Sequence, residues 1–310
     1  MVLPTPLGED ERMSIDMKTT TGEPARQPVL GPATRLGAVH LTVTDLERSI
    51  SFYERSIGLR RGDRTERSAA LSAGGDDLLV LTEEPAARRA GHHAGLYHVA
   101  ILHPSRLELA RAVLRLVGTE TSIDGASDHG ISEAIYLSDP DGNGLELAAD
   151  RPRETWPDLS DLSIFGAGPQ PLDLNGLVAL ARGEEPRPHV DPATRVGHMH
   201  LHVGDIAAAA GFYRDVLGFE VQTAMPSAMF VSAGGYHHHV AFNTWRGPGV
   251  APQPPGTVGL GYWTLLIETL EEYSSVVARL SAAGIALERE GDGVLLSDPS
   301  GIGILIRQDE

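Results

Sequence analysis

Residues 34–43 read Thr-Arg-Leu-Gly-Ala-Val-His-Leu-Thr-Val, and residues 194–203 read Thr-Arg-Val-Gly-His-Met-His-Leu-His-Val. The shift that carries residue 34 to residue 194 also carries Asp45 to Asp205 and Phe52-Tyr53 to Phe212-Tyr213. Near the end of each copy, the stretch 138–144 matches 297–303, with one residue fewer in between. Such agreement along a hundred residues indicates that the chain contains two copies of one domain.

A second, shorter repeat lies inside each copy. The alternation of residues 36–43 predicts a half-buried strand, and Asp45 caps a predicted helix over 46–57. Further elements are expected as strands near 59–63, 68–73 and 77–82, then a strand at 96–102, a helix at about 105–117, and strands near 120–125, 132–138 and 144–149. The sequence therefore predicts two β-α-β-β-β units in each half and an α+β fold class.

The repeats divide the chain into four segments. Residues 1–33 are polar and Pro-rich and are expected to be a flexible N-terminal segment. Domain 1 is expected over 34–150 and domain 2 over 193–310, joined by a linker over 151–192 with a short helix at 173–181. Trp156 and Phe165 suggest that the linker packs along the surface.

Composition excludes several classes of protein. The 310 residues include 13 His and no Cys, which excludes disulfides, thiolate metal sites and a Cys nucleophile. The net charge of −17 disfavours binding to nucleic acid or to an anionic membrane surface. No stretch approaches the ~18 apolar residues of a membrane span, and no signal peptide is evident, so a cytoplasmic location is expected. Any metal is expected to be bound by imidazole and oxygen ligands.

Three polar residues occupy matching strand positions in the first half. His40 lies in the first strand of the first unit, His98 in the first strand of the second unit, and Glu146 in the last strand of the second unit. A single strand histidine is more often structural, so the prediction depends on pseudo-symmetry that brings all three to one cavity. Two imidazoles and one carboxylate are a ligand set that non-haem Fe(II) uses.

Several motifs resemble the vicinal oxygen chelate superfamily, which includes glyoxalases, bleomycin-resistance proteins and extradiol dioxygenases. The resemblance rests on the βαβββ units, on Asp45, Phe52-Tyr53 and Gly58 after the first strand, and on the Asp139-Pro140-Asp141-Gly142 turn before Glu146. The spacing from His129 through Ile135-Tyr136 to Glu146 is similar to the signature of type I extradiol dioxygenases, and the chain resembles two-domain catechol 2,3-dioxygenases. Ser127 departs from that signature.

The resemblance implies an architecture and an activity. It implies tandem modules, two per domain, with each pair forming an open eight-stranded barrel-like sheet around a cavity. It implies an extradiol dioxygenase that uses Fe(II), or else Mn(II), held by His40, His98 and Glu146. Tyr136 and His129 fall where the family has catalytic residues near the substrate. The expected partners are a small aromatic diol and O₂, with no nucleic acid and no membrane, and a homo-oligomer is left open.

The resemblance also leaves gaps. The family has an acid–base histidine on the last strand of the unit that supplies the first ligand, but residues 77–81 contain none, and His92-His93 are the nearest candidates. In the second half His200 matches His40, whereas Thr264 and Leu305 take the places of His98 and Glu146. Domain 2 is therefore expected to be non-catalytic. The roles of His198, His202 and His237-His238-His239 stay open, including a second metal site that uses His200 with His237 or His239.

Two alternatives belong to other functional classes. A non-redox metal-dependent isomerase or lyase of the glyoxalase type commonly has a fourth protein ligand, which Leu79 and its neighbours do not supply. A small-molecule sequestering resistance protein needs no metal triad, so the combination of His40, His98 and Glu146 disfavours it.

Overall fold

Each of the four repeated units folds as one strand, one helix and three further strands. The computed structural model describes residues 29–157 and 170–309. Unit 1 consists of β1 (Arg35–Val43), α1 (Leu46–Phe52, continued by a π-helical turn Tyr53–Ile57), β2 (Arg60–Arg64), β3 (Ser68–Ser72) and β4 (Asp77–Glu83). A two-residue strand, β5 (Arg88–Arg89), follows it. Unit 2 consists of β6 (Gly95–His103), α2 (Arg106–Gly118), β7 (Gly125–Asp128), β8 (Ser132–Ser138) and β9 (Gly144–Asp150).

The second half repeats this order after a connecting segment. The described part of that segment contains a 3₁₀ turn (Arg153–Thr155), β10 (Gln170–Pro171) and α3 (Leu174–Ala179). Unit 3 consists of β11 (Arg195–His202), α4 (Ile206–Ala210, continued by a π-helical turn Gly211–Leu217), β12 (Glu220–Met225), β13 (Ala228–Ser232) and β14 (Val240–Asn243). Unit 4 consists of β15 (Thr257–Ile267), α5 (Leu270–Ala282), β16 (Glu288–Glu290), β17 (Gly293–Ser297) and β18 (Gly303–Gln308).

The predicted α+β class and the βαβββ repeat are confirmed. Asp45 and its repeat partner Asp205 both cap their helices by accepting a hydrogen bond from the backbone N–H three residues later. One strand prediction was displaced: residues 120–125 were expected to be extended, but β7 begins only at Gly125. The linker helix expected at 173–181 is α3.

The units pair across the two halves of the chain. In the first sheet, the 1–4 sheet, β1 of unit 1 pairs antiparallel with β15 of unit 4. In the second, the 2–3 sheet, β6 of unit 2 pairs antiparallel with β11 of unit 3. Each sheet has nine strands among the described residues, because a short strand joins the eight of its two units. The sheets therefore do not follow the division into 34–150 and 193–310 that the repeat suggested.

Buried tyrosines tie the two units of each half together. The Tyr53 hydroxyl at the end of the unit 1 helix donates to Asp139 in the turn before β9, at 3.1 Å. Tyr213 donates in the same way to Asp298 before β18, at 3.0 Å. Each half thus spans both sheets, and the Phe-Tyr and Asp-Pro motifs that revealed the repeat are the contacts that hold the sheets together.

The connecting segment is partly outside the described residues. Trp156 packs as expected: its indole N–H donates to the Arg151 carbonyl at 2.8 Å, and its ring lies 5.2 Å from the His237 ring. Phe165 and residues 1–28 of the predicted N-terminal segment lie outside the described range. Across 29–157 and 170–309, no helix is long and apolar enough to cross a membrane.

Candidate metal centre

Three adjacent strands of the 2–3 sheet carry the candidate metal ligands. Strand β6 lies between β9 and β11, and Ala100 of β6 is in register with both Glu146 of β9 and His198 of β11. Residues in register on neighbouring strands point to the same face, and His98 is two residues from Ala100 on that face. The register therefore places His98, Glu146 and His198 around the small Ala100 side chain.

The ligand atoms of these three residues converge closely. The Nε2 atom of His98 lies 3.0 Å from Oε2 of Glu146, and Nε2 of His198 lies 3.2 Å from the same oxygen. The two imidazole nitrogens are 3.4 Å apart. All three side chains are buried, with exposed fractions of 3–5%. Among the described residues, His98, Glu146 and His198 form the one cluster of His and acidic side chains whose ligand atoms lie close enough together to hold a metal ion.

The spacing of the three atoms fits a bound divalent metal. Metal–ligand bonds to imidazole nitrogen and carboxylate oxygen are about 2.0–2.2 Å long, so adjacent ligand atoms on one ion are roughly 3 Å apart. Two His and one carboxylate on one face leave other coordination positions open, as in non-haem Fe(II) oxygenases. A close backbone contact supports the arrangement: a Cβ on Gly144, where β9 begins, would lie 2.0 Å from the Tyr97 carbonyl oxygen.

Electrostatics keep the cluster in a ligand-competent state. Burial lowers the pKa of His98, which keeps its imidazole neutral. Burial opposes ionisation of Glu146, but its contacts with His198 and His98 outweigh that effect and hold its pKa well below the ordinary value. A neutral imidazole and an ionised carboxylate are the forms that bind a metal.

The two predicted catalytic residues lie together beside this cluster. Tyr136 of β8 is in register with Glu146 of β9, and its hydroxyl is 2.8 Å from Nε2 of His129. Burial raises the pKa of Tyr136, so the phenol stays protonated, and burial lowers the pKa of His129. The ring of Tyr136 is 5.6 Å from that of His98. The resemblance to extradiol dioxygenases implied that these residues lie near the metal, and Tyr136 is beside Glu146 in the sheet.

His40, the third residue of the predicted ligand set, does not join this cluster. It lies on β1 in the 1–4 sheet, where its ring stacks on Tyr262 with centroids 3.8 Å apart. The sheet register pairs His40 with Tyr262 as it pairs His200 with His98. Tyr262, rather than Thr264, therefore takes the place of His98 in unit 4. Burial lowers the pKa of His40 to about 4, so it is a neutral, stacked side chain of the 1–4 sheet.

His198 is the ligand candidate that the sequence prediction missed, and it comes from the half expected to be non-catalytic. The repeat aligns His198 with Ala38, and it aligns His40 with His200. In the 1–4 sheet, Ala38, Tyr262 and Leu305 stand where the 2–3 sheet has His198, His98 and Glu146. The sequence did contain a clue to His198. The second copy of the repeat has a histidine at this position, whereas the first copy has Ala38.

His200 lies beside the cluster but is bonded elsewhere. Its ring is 5.0 Å from the His98 ring, and its Nε2 accepts a hydrogen bond from the Asn243 amide at 2.9 Å. The amide oxygen of Asn243 accepts from Nδ1 of His202 at 2.8 Å. Tyr97 and Trp245, which are 40% and 52% exposed, contact these histidines from the solvent side.

The triple histidine, His237-His238-His239, lies between β13 and β14 of unit 3 and contacts the cluster. His238 lies against the ligand group, with its ring 4.1 Å from that of His198. Its neighbour His237 is 3.0 Å from a carboxylate oxygen of Asp150, and His239 accepts a hydrogen bond from the backbone of Ala233. The open prediction of a second metal site using His200 with His237 or His239 finds no converging group among the described residues.

Comparisons with known proteins agree with this architecture. The sequence profile of the Glyoxalase/Bleomycin resistance protein/Dioxygenase superfamily matches residues 35–147 and 195–306. A catechol-2,3-dioxygenase of Bacillus subtilis (strain 168) is 42% identical over 271 residues, which cover 86% of this chain and 94% of the relative.

Solved structures share the fold at low sequence identity. A candidate dioxygenase of Bacillus subtilis superposes with a TM-score of 0.63 at 13% identity, covering 91% of this chain and 86% of the other. Glyoxalase I of Zea mays superposes with a TM-score of 0.54 at 16% identity, covering 88% of this chain and 92% of the other.

Proposed function

Because the chain belongs to the Glyoxalase/Bleomycin resistance protein/Dioxygenase superfamily, we propose that it is an extradiol dioxygenase that cleaves a catechol beside its two hydroxyl groups. The substrates are a small aromatic diol and O₂. The metal is Fe(II), held by His98, Glu146 and His198. The similarity to a bacillary catechol-2,3-dioxygenase over most of both chains supports this choice within the superfamily.

One observation carries the proposal. Two imidazole nitrogens and one carboxylate oxygen, all on buried side chains of one sheet, converge within 3.0–3.4 Å of one another. A three-ligand set leaves room for a bidentate diol and a further ligand, whereas a four-ligand site would not. A metal held by these three residues would supply a Lewis acid for the diol and a route for electrons to O₂.

Tyr136 and His129 would act on the oxygen atoms of the substrate. Burial keeps the phenol of Tyr136 protonated, so its hydroxyl donates a hydrogen bond. His129, 2.8 Å from that hydroxyl, orients it and offers a second polar group on the same side. Donors fixed in place before the reaction stabilise charge that develops on oxygen without reorganising.

His238 is the residue that we propose as the acid–base group. The family's acid–base histidine lies on the last strand of the unit that supplies the first ligand, and His198 makes this unit 3. The register equates Val240 of β14 with Leu79 of β4, so His238 takes the place of Asp77. Its imidazole, 4.1 Å from the His198 ring, is within reach of a substrate hydroxyl at the site.

The proposal is tested by anaerobic purification, loading with Fe(II), and addition of catechol and air. We expect O₂ uptake that matches the appearance of a yellow ring-cleavage product. Parallel samples with Mn(II) identify the preferred metal, and a panel of substituted catechols identifies the substrate. Metal-loaded protein that cleaves none of these diols but converts a hemithioacetal, or only binds the diol, would replace the proposal with the isomerase or sequestration alternative.

A further inference from the structure

Asp150 makes two hydrogen bonds to the histidine-rich segment of unit 3. It is the last residue of β9, the strand that carries Glu146. One carboxylate oxygen is 3.0 Å from Nε2 of His237, and the other accepts a hydrogen bond from the Tyr236 hydroxyl at 2.8 Å. The His237 side chain is only 2% exposed, and Trp156 packs against its ring at 5.2 Å. His237 is therefore fixed on several sides.

The carboxylate determines which nitrogen of His237 carries hydrogen. A carboxylate only accepts, so Nε2 of His237 is protonated and donates. Burial lowers the pKa of His237, and its neutral form then has an unprotonated Nδ1. That Nδ1 lies 2.9 Å from Nδ1 of His238. Since two unprotonated nitrogens do not bond, Nδ1 of His238 must carry the hydrogen and donate it.

The chain of bonds leaves the other nitrogen of His238 free. Nδ1 of His238 is engaged with His237, and among the described residues no hydrogen bond reaches Nε2. Packing against the rings of His198 at 4.1 Å and Phe230 at 5.2 Å fixes the plane of the imidazole. His238 is thereby held by a directional bond on one side and by ring contacts on the others.

We propose that Asp150 is a positioning residue that acts through His237 to hold His238 in the tautomer whose Nε2 carries a free electron pair at the metal centre. Asp150 and His237 do not touch the substrate. In this proposal His237 connects Asp150 to His238 by hydrogen bonds, and His238 is the residue that acts at the metal centre. The catalytic meaning of this arrangement rests on the proposed dioxygenase function, whereas the arrangement itself does not.

The tautomer is tested directly by NMR on the metal-free, full-length chain with ¹⁵N-labelled histidine. His238→Gln identifies the His238 signals. In the wild type we expect a protonated Nδ1 and an unprotonated Nε2 at His238. Asp150→Ala removes the acceptor for His237, so both residues should average between tautomers. Asp150→Asn keeps an acceptor oxygen and should largely restore the wild-type pattern.

Kinetics of the iron-loaded variants separate positioning from folding. We expect Asp150→Ala to lower kcat by about ten- to a hundredfold, as loss of an orienting partner does, with KM and iron content unchanged. Glu154→Gln, an exposed carboxylate in the next turn, is the matched control and should change neither readout. An unaltered His238 tautomer in Asp150→Ala, or a loss of activity explained by lost iron, would overturn the inference. Failure of the wild type to cleave catechols with the NMR pattern intact would instead refute the proposed function.

Discussion

The Nε2 atom of His198 lies 3.2 Å from the Glu146 carboxylate, although the two residues belong to different copies of the repeat. The contact exists because β6 of unit 2 pairs with β11 of unit 3 and with β9 of its own unit. Neither half contains the full ligand set. The candidate metal centre is a property of the paired units, and it depends on the register of three neighbouring strands.

Ala100 sits between Glu146 and His198, and its small size keeps the ligand atoms free to meet. Ala100→Leu should fill the space and weaken metal binding at least tenfold, measured by competition with a chelator. Overpacking of this kind costs about 1–3 kcal/mol, so the variant should still fold. The matched control is Thr264→Leu, because Thr264 pairs with Leu305 as Ala100 pairs with Glu146. Equal metal affinity in the two variants would show that Ala100 does not shape the site.

Tyr136→Phe removes the hydroxyl that bonds His129 and leaves the ring in place. Loss of one preorganised donor typically lowers kcat by about 10²-fold, and we expect a loss of this order with unchanged iron content. Tyr273→Phe on α5 removes a phenol from the helix of unit 4, outside the 2–3 sheet, and should have no effect. Stopped-flow measurement of the coloured product gives both rates. A Tyr136→Phe enzyme at full speed would exclude the hydroxyl from the reaction.

Some features of the fold and the candidate site could be predicted from the sequence, and others could not. The βαβββ pattern, the helix cap Asp45 and the choice of His98 and Glu146 follow from local alternation and from the repeat. Tyr136 and His129 were identified only through the resemblance to extradiol dioxygenases. The choice between His40 and His198 does not follow from local alternation, because both alternate with apolar residues on equivalent strands. It depends on which unit pairs with which, and the contact between β6 and β11 joins residues a hundred positions apart. Long-range register is not encoded in local periodicity.

Stability should depend on pH through Asp298, which accepts a hydrogen bond from Tyr213. Burial raises the pKa of this carboxyl to about 6. The unfolded chain releases the same proton near pH 4, so between pH 4 and 6 the folded state binds more protons and stability falls as pH rises. The shift corresponds to about 3 kcal/mol. Urea unfolding gives the free energy of unfolding of the wild type and of Asp298→Asn. As the pH rises from 4 to 6, the wild type should lose stability relative to Asp298→Asn.

Glu271→Gln replaces an exposed carboxyl on α5 and serves as the control for that titration. Its free energy of unfolding should run parallel to that of the wild type from pH 4 to 6. A difference between the wild type and Asp298→Asn that stays constant over this range would contradict the raised pKa.

The most direct test compares the iron content of His198→Ala and His40→Ala after anaerobic loading and desalting. We expect His198→Ala to retain little iron, because one of three converging candidate ligands is lost, whereas His40→Ala should retain as much as the wild type. His98→Ala should behave like His198→Ala. Retention of iron by His198→Ala together with its loss from His40→Ala would contradict this assignment and favour His40 over His198 as the partner of His98 and Glu146.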